Sequence, residues 1–471
     1  MDSDTNYKYL AMKLNRSFLI IYLLAAWSLA GCQKSADRKD LFTPVTAPAS
    51  PVSDAAPLKG TIKGTMLAGK TYTIGDDVII DVKDTLIIQE GVTINFTGRY
   101  GIGVKGTLIS LGTKAKPNYI TYPGMVKTDQ PGADPTKDPA FAGKWSGIIC
   151  APSCKLLVIK WTHIEFAGGA VGNGAVSAIS TKSYPIYFQN PAGVFVFEDS
   201  WVYGSIDDPI RTLGGKIAMF RNTFEKCGYT GGEALNAKAG TIGDFAYNVC
   251  IGIATNGPKF SNAGAATGVP PTNVRVYNNT IINCGFRRSE AGRGGSINFE
   301  EGAGGMAYNN LMINCKYGLR VVKAPIADIA NLSYGNNYSY ADDTDLVNQF
   351  YPPGYLSQAP VTDIPKPSTF LPAGWKVGDV YNAPALVKAN DPMLVNGPVP
   401  LPAGYNLKDV VVVGSYNLRL KPGSPCIGKG NATFSPEALV PLDPKYGATE
   451  ITPPGKDMGA YQSNGNGNQH N

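Results

Sequence analysis

A short pattern of polar and apolar residues occurs twice in the second half of the chain. VYNNTIINC (Val276–Cys284) returns 31 residues later as AYNNLMINC (Ala307–Cys315). In both copies an Asn pair opens a strand-length apolar run and Asn-Cys closes it. A fixed period in this range predicts stacked units, because one such unit cannot bury its apolar face alone.

Three upstream segments carry weaker copies of the pattern. They are FRNTFEKC (Phe220–Cys227), FEDSWVYG (Phe197–Gly204) and IKWTHIEFAG (Ile159–Gly168). Aligning all five copies predicts a polar column on the inner face, where side chains can hydrogen-bond from rung to rung. The predicted members of this column are Thr162, Asp199, Asn222, Asn279 and Asn310.

The same alignment gives three further columns, assigned to the inner or outer face by strand alternation. The inner apolar column comprises Ile164, Trp201, Phe224, Ile281 and Met312. The inner column of small residues comprises Ala167, Gly204, Cys227, Cys284 and Cys315. The outer column comprises Glu165, Val202, Glu225, Ile282 and Ile313. Because its last two members are apolar, we expect the Pro-rich residues 346–400 to cover them.

Strand patterns begin well before the repeat. Asp84–Phe96 and Tyr100–Gly112 contain alternating apolar residues broken by Gly, and no helical period of comparable length occurs within residues 60–345. The chain holds 55 Gly, 35 Pro and only 17% charged residues, which favours many short strands and turns. The sequence therefore predicts an all-β protein.

Several of these segments resemble a known family. The strands of Asp84–Gly112, followed by KWSGIIC (Lys144–Cys150) and HIEFAGG (His163–Gly169), resemble right-handed parallel β-helix proteins with the pectin-lyase-like fold of Bacteroidetes-type bacteria. DPMLVNG, YNLRLKPGSPCIGKG and DMGAYQ in the last 81 residues resemble the closing segments of such helices. The resemblance implies a solenoid with three sheets per rung and a C-terminal capping region. It does not fix an activity, since the fold supports lyases, hydrolases, binders and adhesins.

The N-terminus resembles a bacterial lipoprotein signal. Lys13 and Arg16 precede an apolar run, and Leu29-Ala30-Gly31 leads into Cys32. The resemblance implies cleavage before Cys32, acylation of its thiol, and a lipid anchor in the bacterial cell envelope, as an outer membrane lipoprotein facing the periplasm or the surface. An ordinary secretory peptide and a membrane anchor are the alternatives.

These signals divide the chain into five parts. We expect a signal peptide at 1–31, a flexible Pro/Ala-rich linker at 32–58 and the parallel β-helix at 59–345. C-terminal rungs and the capping region follow at 346–462, and a disordered tail at 463–471.

The remaining cysteines suggest structure more than chemistry. In an oxidising compartment, the close pair Cys150 and Cys154 favours a disulfide. The four that follow lack the paired C-x-x-C spacing of a zinc site, so we expect them in the core. They are Cys227, Cys250, Cys284 and Cys315. Cys426 is expected to be free or in the core.

Several functions are disfavoured by what the chain lacks. The net charge of +6 is spread without a dense basic stripe, so we expect no nucleic-acid partner. Only two histidines occur, with His163 expected beside Glu165 on a solvated strand face and His470 in the tail. The sequence Gly101–Gly106 matches G-x-G-x-x-G, but a strand follows it instead of the helix that a dinucleotide site needs.

Charged residues gather in the irregular segments between copies of the repeat. The segment after Cys284 is longer than its counterpart after Cys227 and carries Arg287, Arg288, Glu290 and Arg293. Aligning the following strands by their glycines places five charged residues on neighbouring rungs, namely Lys238, Glu300, Glu301, Arg320 and Lys323. A separate cluster comprises Asp207, Asp208 and Arg211. Arginine suits bidentate binding of carboxylates.

These residues leave three classes of function open. We expect first an envelope protein that binds or presents itself to polysaccharide, with Arg287, Arg288, Arg293, Asp207 and Asp208 as contacts. Exposed aromatic residues beside the groove would support binding, and Trp201, Tyr203 and Tyr229 are the candidates. A structural or adhesin-like spike without a groove is a further alternative.

The enzyme alternatives need converging side chains. A lyase acting on a uronate-containing glycan would use a base such as Lys238 or Arg320, with Arg or Ca²⁺ neutralising the substrate carboxylate. No acidic Ca²⁺ cluster is evident, and no other cofactor is expected. A glycoside hydrolase would use a carboxylate pair, for which Asp207 with Asp208 and Glu300 with Glu301 are the candidates. Adjacent strand residues point to opposite faces, which weakens such a pair.

Overall fold

The computed structural model describes residues 50–128, 137–290, 293–322, 325–342, 380–381, 390–401 and 416–470. All of them belong to one compact unit. Cys32 and the signal sequence lie outside the described residues, so the lipid anchor stays a prediction.

The chain passes through three strands per rung and stacks the rungs into a parallel β-helix. The strands of the first series pair only with one another, and we call this series sheet A. Sheet A contains β2 (Gly64–Met66), β4 (Thr85–Ile88), β7 (Thr107–Leu111), β10 (Leu156–Lys160), β13 (Val194–Glu198), β16 (Lys216–Phe220), β19 (Ile242–Ala246), β22 (Asn273–Tyr277), β25 (Gly304–Tyr308) and β28 (Leu332–Gly335).

Two further series, sheets B and C, share the long strand β3 and together form a 20-stranded sheet. Sheet B contains β1 (Leu58–Thr61), β3 (Thr71–Ile80), β5 (Thr93–Phe96), β8 (Asn118–Thr121), β11 (Thr162–Ala167), β14 (Trp201–Ser205), β17 (Thr223–Cys227), β20 (Val249–Ile251), β23 (Thr280–Ile282), β26 (Leu311–Ile313), β29 (Tyr338–Tyr340) and β30 (Val380–Tyr381). Sheet C continues from β3 through β6 (Gly101–Val104), β9 (Gly147–Cys150), β12 (Ile186–Phe188), β15 (Ile210–Leu213), β18 (Glu233–Lys238), β21 (Asn256–Phe260), β24 (Asn298–Phe299) and β27 (Arg320–Val321).

The remaining elements are short. β31 (Leu394–Asn396) and β32 (Asn417–Leu420) form an antiparallel pair. Three-residue or four-residue 3-10 turns span Pro139–Phe141, Ala175–Ala178 and Ile329–Asn331. The prediction of an all-β parallel β-helix is confirmed. Strand β7 begins directly after Gly106, so a strand and not a helix follows the G-x-G-x-x-G match, as the sequence predicts.

The first Asn of each repeated pair forms the corner between sheets A and B. Asn278 and Asn309 adopt positive φ angles of 51° and 60°. Asn tolerates this left-handed conformation better than most residues with a side chain. The closing Asn of each copy, Asn283 and Asn314, turns the next corner in the same way, with φ of 52° and 49°.

The second Asn of each pair points inward and joins a hydrogen-bonded ladder. Asn279 Oδ1 accepts from the backbone N–H and the side-chain amide of Asn248 at 2.9 and 3.1 Å. Asn279 Nδ2 donates in turn to Asn310 Oδ1 at 2.9 Å. These bonds satisfy polar groups that are fully buried. The ladder runs through Ser200, Asn222, Asn248, Asn279, Asn310 and Asn337.

The sequence alignment of one rung is wrong by one residue. Val202 pairs with Phe224, where Trp201 was expected. Ser200 holds the ladder place assigned to Asp199, which forms the left-handed corner instead with φ of 48°. Both residues are polar, so the local sequence did not distinguish the corner from the ladder position.

The outer apolar column is covered largely by residues beyond 400. Ile282 and Ile313 are fully buried in a second hydrophobic cluster. Their cover comprises Leu394, Leu418, Cys426, Met458, Ala460 and Tyr461. Leu394, with the partly buried Val399 packed against the same cluster, belongs to the predicted covering segment, most of which lies outside the described residues.

Residues 416–470, which we call the C-terminal strap, run along the side of the solenoid. Asn336 donates to Lys429 O, Asp244 accepts from the backbone of Glu437, and Lys160 Nζ donates to Pro444 O. The strap therefore contacts rungs along most of the repeat. The expectation that this region caps the solenoid end stays a prediction.

The end of the strap is ordered, contrary to the expected disordered tail. His470 is 5% exposed, stacks on Trp201 at 3.7 Å between ring centroids, and bonds through Nδ1 to Thr223 Oγ1 at 2.8 Å. The His163 ring is stacked between the rings of Trp201 and Tyr119, so that His470, Trp201, His163 and Tyr119 follow one another in one aromatic stack. The expected neighbour is confirmed, since His163 Nδ1 lies 3.6 Å from Glu165 Oε1, but the pair is largely buried within an aromatic stack and is not solvated.

The expected disulfide is absent. Cys150 and Cys154 are free thiols, both fully buried in the main core. Burial, together with the adjacent Cys154 thiol, raises the pKa of Cys150 well above its ordinary value. The cysteines expected in the core, including Cys250 and Cys426, are buried and free.

Candidate functional site

Sheet C and the loop after β23 enclose a polar cavity of ≈200 Å³, which we call the charged cavity. Strands β15 and β18 form part of its floor, and the loop brings arginines to its rim. The charged side chains that line it are Asp207, Arg211, Glu233, Lys238, Lys259, Arg288 and Arg293. Five of these, Asp207, Arg211, Lys238, Arg288 and Arg293, were candidates from the sequence.

Asp208 is a buried anchor beneath this cavity. Its Oδ2 accepts from Arg211 Nε at 2.7 Å and from Asn236 Nδ2 at 3.0 Å, and its Oδ1 accepts from the backbone N–H of Glu233 at 2.8 Å. The Asp207 carboxylate lines the cavity and accepts a local bond from the backbone N–H of Asp208. The two neighbouring carboxylates therefore have different roles and do not form a catalytic couple.

Glu233 is the most perturbed group of the charged cavity. It is 7% exposed, and its carboxyl shares the amide of Asn236 with Asp208 at 3.3 and 3.0 Å. Burial raises the pKa of Glu233 to about 8, and the nearby Asp208 carboxylate adds to this against the opposing effect of Lys259. At neutral pH Glu233 is therefore mainly a neutral acid that can donate a proton.

The two lysines of the cavity have opposite surroundings. Lys259 Nζ lies 3.1 Å from Glu300 and 3.6 Å from Glu233. Although burial opposes its charge, these carboxylates raise the pKa of Lys259 overall. Lys238 has no carboxylate within 4 Å of its ammonium among the described residues. Burial, followed by repulsion from Lys259 and Arg211, lowers the pKa of Lys238.

The loop arginines divide into one anchor and two cavity residues. Arg287 is buried, donates to Gly228 O at 2.6 and 3.0 Å, and lies over the Phe141 ring. Its predicted role as a substrate contact is therefore wrong, because backbone carbonyls already occupy its guanidinium. Arg288 pairs with the exposed Glu290 at 2.5 Å, and Arg293 is 3.8 Å from Glu300.

The remaining predicted catalytic residues do not converge on the cavity. Glu300 accepts from Asn298 at 2.8 Å as well as pairing with Lys259. Glu301 accepts from the Ser261 hydroxyl at 2.6 Å. Arg320 is buried and donates to Gly294 O at 2.9 Å, which fixes the loop. Lys323 lies outside the described residues.

The predicted aromatic contacts are mostly unavailable. Trp201 is held in the stack with His163 and His470, and Tyr203 is buried. Tyr229 is half-buried against Phe141, two residues before the cavity residue Gly231. Of the three predicted aromatic residues, Tyr229 is the one that lies near the charged cavity.

Glu233 and Lys259 were missed by the sequence reasoning. Their strands carry no Asn-Asn marker, and register pairs Asn236 with Lys259 across β18 and β21. The lysine in NGPKF, directly before the apolar Phe260, was the signal that could have identified Lys259. Glu233 follows a Gly pair and resembles an ordinary turn residue.

The described ranges hold no group of three or more His, Cys, Asp or Glu side chains arranged to bind a metal ion. Within the same ranges, no helix has the length and apolar character needed to cross a membrane.

Fold and site define a parallel β-helix protein with a cation-rich cavity on one sheet. Comparisons with protein-family models, curated proteins and solved structures found no match to this chain.

Proposed function

We propose that this β-helix protein binds an acidic polysaccharide in the charged cavity. The supporting observation is the ammonium of Lys238, which lines a cavity otherwise rich in cations and has no carboxylate within 4 Å in the described part of the chain. A glycan carboxylate placed there would relieve the repulsion among Lys238, Lys259 and Arg211.

The other side chains of the cavity also favour an acidic ligand. Five cationic and two acidic side chains line the cavity, and Glu233 is mainly uncharged at neutral pH. Arg288 and Arg293 stand at the rim on a loop fixed by the carbonyl contacts of Arg287 and Arg320. The lipobox at Cys32 supports placing this binding outside the cytoplasm, at the cell envelope.

β-Elimination is a second candidate, favoured by the opposite pKa shifts of Lys238 and Glu233. In this reaction the unprotonated Lys238 amine takes the proton from the carbon next to the uronate carboxylate. The carbon–oxygen bond to the leaving sugar breaks as the double bond forms, and Glu233 gives its proton to the leaving oxygen. An acid and a base with pKa values shifted toward neutrality suit this exchange.

Both candidates are tested by one panel of acidic polysaccharides, including polygalacturonate and alginate, offered to the full chain in detergent. Retention measures binding, and the ultraviolet absorbance of unsaturated ends measures elimination. We expect Lys238→Met to weaken retention by about tenfold or more, because it removes the unpaired charge at similar size. Lys216→Met, at a half-buried lysine on sheet A, is the matched control and should bind normally.

Equal retention by the wild type and Lys238→Met would contradict binding in this cavity. Retention without unsaturated products would leave binding and exclude elimination on the glycans tested. Products that persist in Lys238→Met would rule out this lysine as the base.

A further inference from the structure

A second, larger space lies between the solenoid and the C-terminal strap. This cleft of ≈960 Å³ is within the size range of ligand sites, ~300–1,000 Å³. Its floor is formed by one residue from each of four successive rungs, Trp161, Asp199, Arg221 and Tyr247. Strap residues form its walls, and none of them lines the charged cavity.

The four floor residues occupy the corner that Asn occupies in later rungs. Each has a positive φ, between 47° and 59°. Asn278, Asn309 and Asn336 hold the same corner further along, and the strap accepts hydrogen bonds from their amides. Trp, Asp, Arg and Tyr side chains adopt this left-handed conformation less readily than Asn. We therefore expect contacts that hold the four floor residues in it.

Three of the four are held by side-chain hydrogen bonds to the strap or to each other. Arg221 pairs with Asp199 through two bonds of 2.8 and 2.9 Å, and its Nη1 donates to Thr452 at 2.6 Å. Tyr247 donates from its hydroxyl to Pro453 O at 2.5 Å. Trp161 has no side-chain hydrogen bond to the described strap. Its half-buried indole packs at a tilt against the rings of Trp201 and His470, at 5.9 and 5.8 Å between centroids, and it also lines the cleft.

The polar groups that line the cleft differ in kind from those of the charged cavity. Asp457 already accepts from the backbone N–H groups of Gly428 and Ser463, at 2.8 and 2.6 Å. The exposed residues Asn464 and Asn466 present amide side chains, and Glu450 presents an exposed carboxylate. The cleft thus offers an aromatic surface, side-chain amides and carboxylates, and its three acidic side chains outnumber its two cationic ones.

From this combination we infer that the cleft binds a neutral oligosaccharide. The apolar face of a sugar ring packs on the indole of Trp161, and its hydroxyls exchange hydrogen bonds with Asn464, Asn466 and Glu450. This site is independent of the proposed acidic-glycan site, since the two share no lining residue.

The test measures binding of neutral gluco-, manno- and xylo-hexaoses to the full chain in detergent, by calorimetry and by tryptophan fluorescence. Trp161→Asn is the diagnostic variant, because Asn already holds this left-handed corner in three other rungs and should preserve the fold. We expect binding of at least one hexaose, weakened about tenfold or more by Trp161→Asn. Trp161→Phe, which keeps a ring, should retain most of the affinity.

Lys238→Met separates this inference from the proposed function. It should leave hexaose binding unchanged, while Trp161→Asn should leave retention of acidic polysaccharide unchanged. The inference is overturned if the wild type binds none of the three hexaoses, if Trp161→Asn binds as well as the wild type, or if only Lys238→Met abolishes the binding.

Discussion

At the scale of single residues, Glu233 shows how a solenoid can hold an uncharged acid at neutral pH. Rungs above and below remove water from its carboxyl, and Asp208 adds a like charge beside it. Lys259 lies near enough to oppose the shift but is shared with Glu300. Burial therefore has the largest effect on the pKa of Glu233, and the protonated carboxyl can act as a proton donor.

This shift gives stability a defined pH dependence. The folded pKa of about 8 exceeds the ordinary value of 4.5, so the contribution of Glu233 is fully present below pH 4.5 and is lost as pH rises toward 8. At pH 7 the loss amounts to roughly 3 kcal/mol. We expect Glu233→Gln, which cannot ionise, to flatten this part of the profile and to raise the free energy of unfolding near pH 8.

Denaturant unfolding of the two proteins between pH 4 and 8 measures the difference, with Glu90→Gln as the control at a half-buried carboxylate outside the cavity. Parallel profiles for wild type and Glu233→Gln would show that this carboxyl ionises normally in the folded protein.

At the scale of elements, the ladder and the corners were largely predictable and the site was not. The Asn-Asn pair recurs because one position needs a left-handed residue and the next needs a self-complementary amide. Both requirements are met by Asn together in the rungs of Asn278 and Asn309, so the sequence shows them there. Asn248 was still missed, since its strand lacks the leading Asn and carries Tyr247 at the corner.

The charged cavity has no such repeated requirement. Lys238 was found because charged residues near a long loop draw attention, whereas Glu233 depends on contacts between rungs that have no common motif. Arg287 could not be separated from Arg288 by sequence, because only folding shows that three backbone carbonyls occupy the first.

The ladder makes a stability prediction of its own. Asn279→Ala should lower the free energy of unfolding by about 3 kcal/mol or more, because two buried donors of Asn248 lose their acceptor and cannot reach water. Chemical denaturation measures the loss. Asn464→Ala, at an exposed amide, should change stability by less than about 0.5 kcal/mol. Similar values for both variants would mean that the ladder does not stabilise the fold.

At the scale of the whole molecule, the strap is part of the hydrophobic core. Met458 and Ala460 are fully buried, and Tyr461 is 6% exposed, in the cluster that contains Ile282 and Ile313. The solenoid therefore presents an apolar outer face that only later parts of the chain cover.

Removing the chain from Met458 onward should expose this face. We expect increased binding of a hydrophobic dye and a lower melting temperature, since burial of each large apolar side chain contributes about 1.5–3 kcal/mol. Leu442→Ser, at a strap side chain that is 67% exposed, is the control and should change neither measurement. Unchanged dye binding by the shortened chain would show that the strap does not protect these rungs.

The position of the strap in the chain also matters during synthesis. Every repeated rung leaves the ribosome before residues 416–470 exist, so the rungs around Ile282 and Ile313 stack while their outer surface is still open to other molecules. Until the strap has been synthesised, a chaperone that binds exposed apolar surfaces could bind the rungs around Ile282 and Ile313. Completion of the strap removes that surface, so release from such a chaperone would report that the segment beyond the last rung has been made and docked.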